Sequence, residues 1–314
     1  MFAEDLLQDL RREGYSAAAV ATYLRRIGAR VVQRLPRHPE LVRSVAATAI
    51  ILFALQFAAA LLLSLGIDRG FGASYLISSS CVLLVSSFWV LTHLGLASDA
   101  REPEGGPPLR HLPIPVGLTM LRLVSIPAIT MLIGAGRWSL VVWLYAASAF
   151  TDILDGYLAR ALRCETRVGV VLDPLTDIAF NASVFVALAR EGQLPWWVSG
   201  AMLARYALLV LGTFALYTFR GPVRIQPTAF GKLTGVLTTV LLGLLLLGLA
   251  YWSPGMRHQL KEVFDVGLGL MAFATIIQVT FIGLDNLRSA RPLAAVPAAE
   301  RPAKVVGEIR PPRR

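Results

Sequence analysis

Residues 150–180 read FTDILDGYLARALRCETRVGVVLDPLTDIAF. Apolar runs lead into and out of this stretch, and a loop carrying Arg160, Arg163 and Arg167 lies between them. Two membrane helices meeting at one face of a bilayer would give this pattern. The aspartates Asp152, Asp155, Asp173 and Asp177 are out of place in it. An Asp at the centre of a spanning helix costs roughly 2.5–3.5 kcal/mol, so these acids need partners or a polar cavity. Asp152 and Asp155 are three residues apart, and Asp173 and Asp177 four apart, which puts each pair on one helix face. Facing helices would gather four carboxylates at one point, where like charges repel and divalent cations relieve the repulsion. Oxygen-only ligands favour Mg²⁺ or Mn²⁺ over Zn²⁺. Two ions sharing such a site would activate an attacking oxygen and neutralise a leaving phosphate.

The rest of the chain supports a membrane setting. Of 314 residues, 55% are hydrophobic and 16% charged. Eight apolar runs are long enough to cross the hydrocarbon core, at roughly 44–65, 74–97, 117–134, 138–155, 173–190, 196–219, 233–252 and 263–284. The first begins after about 40 residues, too late for the usual layout of a cleavable leader. A formal charge of +10 would point to nucleic acid on a soluble domain, but here Lys and Arg cluster just outside apolar runs. They follow the positive-inside rule if both termini and the aspartate stretch are cytoplasmic, with only Arg69, Arg137, Arg190, Arg257 and Lys261 outside. The expected location is a cell (inner) membrane, with multiple passes and no nucleic-acid partner. Neither the two cysteines nor the four histidines have a spacing that suggests a disulfide or a zinc site.

The expected fold class is all-α and polytopic. Residues 1–41 read as a cytoplasmic amphipathic tail, in which Ser16 caps a helix with Val20, Leu24, Ile27 and Val31 on one face. Pro36 and Pro39 should break that helix before the first span. Residues 42–97 hold two extra spans, 98–115 form a Pro/Gly-rich linker, 116–287 form a six-helix transmembrane domain, and 288–314 form a disordered basic tail.

The residues between the acidic pairs suit a phosphate ligand. Gly156 lets a ligand approach the backbone, Ala159 keeps the same face slim, and Arg160 can pair with phosphate through two N–H groups. Gly169 permits close packing where the next helix begins, and Pro174 would free a carbonyl one turn back. Asp152-x-x-Asp155-Gly156-x-x-Ala159-Arg160, eight residues, Gly169-x-x-x-Asp173-x-x-x-Asp177 resembles the signature of the class I CDP-alcohol phosphotransferases (CDP-alcohol phosphatidyltransferases) at every defining position. The resemblance covers roughly residues 112–285. It implies a six-helix catalytic core and transfer of a substituted phosphate from a CDP-linked donor, commonly CDP-diacylglycerol, to an alcohol with release of CMP. It also implies a homodimer, metal held by Asp152, Asp155 and Asp173, and Asp177 completing the second ion's ligands and serving as base. Gly156, Ala159 and Arg160 would line the cytidine diphosphate pocket.

Flanking stretches extend the resemblance. Pro115, Leu118, Thr119 and Arg122 match a Pro-Asn-x-Leu-Thr-x-x-Arg segment common in the family, with Val116 in place of the Asn. Thr119, Arg122 and Gly169 join the donor pocket on that basis; the alternative for Arg122 is a snorkelling anchor. Arg205 sits inside an apolar run and needs an anionic partner, either an acceptor or a motif aspartate. Lys232 in FGKLTG, with Arg220 and Arg224 before it, is a candidate for holding an acceptor phosphate, or else only fixes topology. Ile178 departs from the Lys that often follows the last aspartate in the phosphatidylglycerophosphate and cardiolipin synthase branches.

The expected function is therefore a phosphatidyltransferase of phospholipid synthesis in the lipid bilayer. The basic surroundings favour a phosphorylated polar alcohol, glycerol 3-phosphate first, then inositol phosphate, then phosphatidylglycerol. A cation-coupled transporter and a non-catalytic scaffold are the rivals. A transporter should show broken helices at mid-membrane and repeated halves, and a scaffold should have lost part of the motif.

Overall fold

The computed structural model describes residues 15–34, 36, 38–93, 109–220 and 229–289. Nine helices account for the ordered secondary structure among these residues: α1 (Ala17–Arg34), α2 (Pro39–Gly66), α3 (Arg69–Thr92), α4 (Ile114–Gly134), α5 (Trp138–Ala161), α6 (Arg167–Arg190), α7 (Trp196–Arg220), α8 (Ala229–Tyr251) and α9 (Pro254–Ser289). The chain is an all-α polytopic membrane protein, with α1 and the α2–α3 pair ahead of a bundle of six, α4–α9. Of the expected linker at 98–115, residues 98–108 lie outside the described residues and α4 begins at Ile114 within it; of the expected tail at 288–314, all beyond Ser289 lies outside them, as do residues 1–14.

Among the described residues, seven helices are long and apolar enough to cross a membrane. The eighth expected span, α5, forms where the apolar run lies but does not reach that apolarity, because Asp152 and Asp155 dilute its C-terminal turns. Low amphipathicity is what a bilayer allows: large apolar side chains such as Ile50, Leu62, Phe88 and Phe281 point outward with roughly two thirds of their surface free.

Local chemistry sets the helix ends. Ser16 Oγ accepts the Ala19 N–H at 3.2 Å, the expected cap of α1. Pro39 opens α2, where a missing N–H costs nothing. Asp68 Oδ1 accepts the Phe71 N–H at 2.8 Å and starts α3 five residues before the apolar run suggests. Gly136 and Gly192 take positive φ (64° and 67°) to end α4 and α6.

Three packing units result. One joins the inner faces of α4–α9, with Ile129, Ile133, Phe185, Leu188, Met202, Leu246 and Leu268 almost fully buried. A second clamps the α2–α3 hairpin onto the first half of α4 and the start of α6, through Leu41, Val45, Leu83, Val90, Val116, Met120 and Leu172. A third, smaller one packs Ala60, Tyr75 and Ala128 where the hairpin meets the middle of α4. Interhelical hydrogen bonds add specificity where lipid supplies no driving force. Ser199 Oγ donates to the Phe185 carbonyl (2.9 Å), Tyr145 OH to the Thr239 carbonyl (3.2 Å), and Gln56 Nε2 to the Ser79 carbonyl (3.2 Å).

Candidate active site

Both helices of the aspartate stretch run further toward the site than their apolar runs do. α5 continues to Ala161 and α6 begins at Arg167, so all four aspartates lie on regular helix. Arg163 adopts φ 51°, and the Cys164 N–H donates to the Ala159 carbonyl at 3.0 Å, which closes α5. Thr166 Oγ1 then accepts the Gly169 N–H at 3.0 Å and caps α6. The chain thus reverses within five residues and puts both acidic pairs at the same end of the bundle.

What joins the pairs comes from α4. Thr119 and Arg122, three residues apart, share one face of that helix. Thr119 Oγ1 lies 2.7 Å from Asp173 Oδ1 and 3.4 Å from Asp155 Oδ2. Its single proton goes best to Asp173. The Arg122 guanidinium reaches Asp152 Oδ1 at 2.8 Å and is in close contact with Asp155 Oδ2 and Asp177 Oδ1. Every motif aspartate therefore touches one of these two side chains. Arg122 and Asp155 are sealed, at 3% and 4% side-chain exposure, while Asp152 and Asp177 keep 46% and 45%. The cluster is closed on the α4 side and open on the other. A snorkelling role for Arg122 is excluded by that burial.

The remaining motif residues flank the cluster on α5 and α6. The Arg160 guanidinium folds over Gly156, where a Cβ would stand 3.4 Å from Nη1. Gly169 is buried, and a Cβ there would meet Thr166 Oγ1 at 3.2 Å and Val116 Cγ2 at 3.8 Å, so α4 and α6 approach closely at this point. Val116 itself is 2% exposed within the hairpin cluster, so its departure from Asn matches an apolar wall. Ala159 is half-buried beside Arg160. Arg205, on α7, stacks over the Tyr206 ring at 5.2 Å, and no carboxylate pairs with it among the described residues. Arg224 lies outside the described residues, as do the side chains of Arg220 and Lys232.

Sequence reasoning missed two features. Ser44 Oγ on α2 accepts the Leu112 N–H at 3.0 Å, tying the hairpin to the approach of α4. Asn181 Nδ2 donates to the Asp177 carbonyl at 2.9 Å, one turn beyond the motif. Only the i, i+4 spacing from Asp177 would have marked Asn181, and nothing in the sequence marks Ser44.

The donor chemistry suits a hard divalent cation: four carboxylates, no thiolate or imidazole, and one guanidinium to balance them. In this arrangement Arg122 takes the centre, and no group of three acidic, His or Cys side chains is set to hold a metal ion among the described residues.

The sequence profile of the CDP-alcohol phosphatidyltransferases matches residues 112–281. A Mycobacterium tuberculosis protein named as a cardiolipin synthase is 33% identical over 126 residues, covering 39% of this chain and 59% of its own. Another from the same organism, named as a phosphatidylglycerophosphate synthase, is 34% identical over 140 residues, covering 42% and 65%. The cardiolipin synthase (CMP-forming) of Streptomyces coelicolor is 34% identical over 127 residues, covering 35% and 58%. The chain spans about three fifths of the length of the curated relatives it matches. No solved structure matches. With the profile spanning more than half of its 314 residues and every motif aspartate gathered at one end of the matched helices, the chain belongs to the CDP-alcohol phosphatidyltransferase family.

Proposed function

We propose that this protein transfers a phosphatidyl group from CDP-diacylglycerol to a polar alcohol and releases CMP, a step of phospholipid synthesis. The observation that carries this reading is the convergence of Asp152, Asp155, Asp173 and Asp177 on Thr119 and Arg122 at an end of the bundle open on one side. The acceptor hydroxyl oxygen forms a bond to the phosphorus bearing the diacylglycerol. The bond from that phosphorus to the CMP oxygen breaks, and CMP leaves with the electron pair. Asp177, half-exposed on the open side, takes the hydroxyl proton. Arg160 and the slim face at Gly156 and Ala159 hold the diphosphate. Mg²⁺ or Mn²⁺ bound by the four aspartates would neutralise charge on the diphosphate and on departing CMP. Arg122 keeps the carboxylates together on their sealed side.

Glycerol 3-phosphate is the first acceptor in this reading. Arg205, with no carboxylate partner among the described residues, supports an anionic one. Phosphatidylglycerol is the second, favoured by the relatives named as cardiolipin synthases. The positive-inside pattern supports a cytoplasmic site in a cell membrane. The test is CMP release by detergent-purified protein with CDP-diacylglycerol, Mg²⁺ or Mn²⁺, and each of glycerol 3-phosphate, inositol phosphate and phosphatidylglycerol. Release with glycerol 3-phosphate is expected; no release with any alcohol overturns the proposal.

A further inference from the structure

A cavity of about 200 Å³ lies at the far end of the bundle from the aspartates, between the α6–α7 turn, the end of α8 and the start of α9. Thirteen residues of α6, roughly 20 Å, separate Asp177 from the helix end at Arg190. The cavity's charged lining is Arg257 and Lys261, with His258 between them. Glu262 and Asp265, the nearest acids along α9, are absent from its wall, although Asp265 lies one turn from Lys261 and near enough for their charges to interact. Arg257 Nε is buried without a hydrogen-bond partner. Lys261 Nζ donates to the Gly192 carbonyl at 3.3 Å, which holds α9 to the α6–α7 turn.

These charges are not explained by topology. The positive-inside pattern leaves this face poor in Lys and Arg, yet two of its few basic residues stand four apart on one helix face. The floor and side walls are apolar, from Leu245, Leu249, Trp252 and Phe264. Gly248 makes room for this arrangement: a Cβ there would lie 2.5 Å from the Trp252 ring. The volume falls below the roughly 300–1,000 Å³ that houses drug-sized ligands, too small for a nucleotide but suited to a headgroup. A cationic rim over an apolar floor, at the depth where interfacial Trp sits, complements a phosphate attached to acyl chains.

We propose that this cavity binds the phosphate of an anionic glycerophospholipid from the leaflet opposite the aspartates. Arg257 and Lys261 pair with the phosphate, and the chains run out past Leu249.

Native mass spectrometry of the full chain in detergent, titrated with phosphatidylserine, an anionic lipid outside the acceptor set, tests this. The Arg257→Gln/Lys261→Gln variant should retain the lipid about tenfold more weakly, as expected for losing charged hydrogen bonds. Asp173→Asn should retain it like wild type, which keeps this site distinct from the aspartates. Equal retention by wild type and the double variant overturns the proposal, as does loss from Asp173→Asn alone. Displacement of the lipid by equimolar inorganic phosphate also overturns it, because the site would then take a free anion. Lys261 is exposed, so Lys261→Gln alone keeps the test valid if the double variant fails to fold. Brominated phosphatidylserine should quench wild-type fluorescence more than that of Trp252→Phe; equal quenching overturns the site.

Discussion

Arg122 of α4 and Asp155 of α5 form an ion pair closed to solvent on both sides, at 3% and 4% side-chain exposure. Neither charge can fall back on water if the other is removed. Breaking a buried pair by deleting one partner typically costs about 3–5 kcal/mol, whereas replacing both can be nearly neutral. Arg122→Met should therefore lower the melting temperature in detergent sharply. Arg122→Met/Asp155→Asn should recover much of that loss while CMP release stays absent. Additive destabilisation in this double-mutant cycle would show that the two residues do not act as a pair.

Asp177 touches the same guanidinium but keeps 45% of its side chain exposed. Its removal strands less charge in a sealed place, so stability and activity should separate. Asp177→Asn should melt close to wild type and release CMP about 10²–10⁴-fold more slowly, the range for a lost general base. A wild-type rate would remove Asp177 from the chemistry.

Much of this was legible in the sequence, for a physical reason. Carboxylates are so costly in apolar helices that Asp152, Asp155, Asp173 and Asp177 stand out without any structure. The helix ends were not legible to the same degree. An apolar run marks where lipid is, whereas a helix stops where its caps are. α6 thus starts at Arg167, under the Thr166 cap, six residues before the run suggests, and α3 starts at Arg69 under Asp68. The partner of the acids was hidden for another reason. Arg122 lies 33 residues from Asp155 and 55 from Asp177, and only the packing of α4 across α5 and α6 brings them together. Val116, which reads as a departure from the family pattern, makes sense only with the hairpin against it.

That hairpin turns on one close approach. A Cβ at Gly72 of α3 would fall 1.9 Å from Ser64 Oγ and 2.4 Å from the Ala60 carbonyl oxygen of α2. The hydroxyl can rotate away, but the carbonyl is backbone and cannot. Gly72→Ala should push α2 and α3 apart and cost about 1–3 kcal/mol, the range for overpacking. Thermal unfolding should show it as a lowered midpoint. An unchanged midpoint would mean that the two helices do not approach this closely.

Gly156 offers the opposite balance. A Cβ there would stand 3.4 Å from Arg160 Nη1, tight but against the far end of an exposed, flexible side chain. The guanidinium can give by a few tenths of an ångström at little cost. Meanwhile a helical glycine becomes alanine, which favours the helix by about 0.5–1 kcal/mol. Gly156→Ala should therefore hold or raise the melting temperature. If Gly156 and Arg160 form the wall on which the diphosphate rests, the same substitution should raise the KM for CDP-diacylglycerol, and Arg160→Ala should do the same. Combining the two should add little, because both disturb one contact. A variant that is more stable with an unchanged donor KM would place the diphosphate elsewhere on the open side of the cluster.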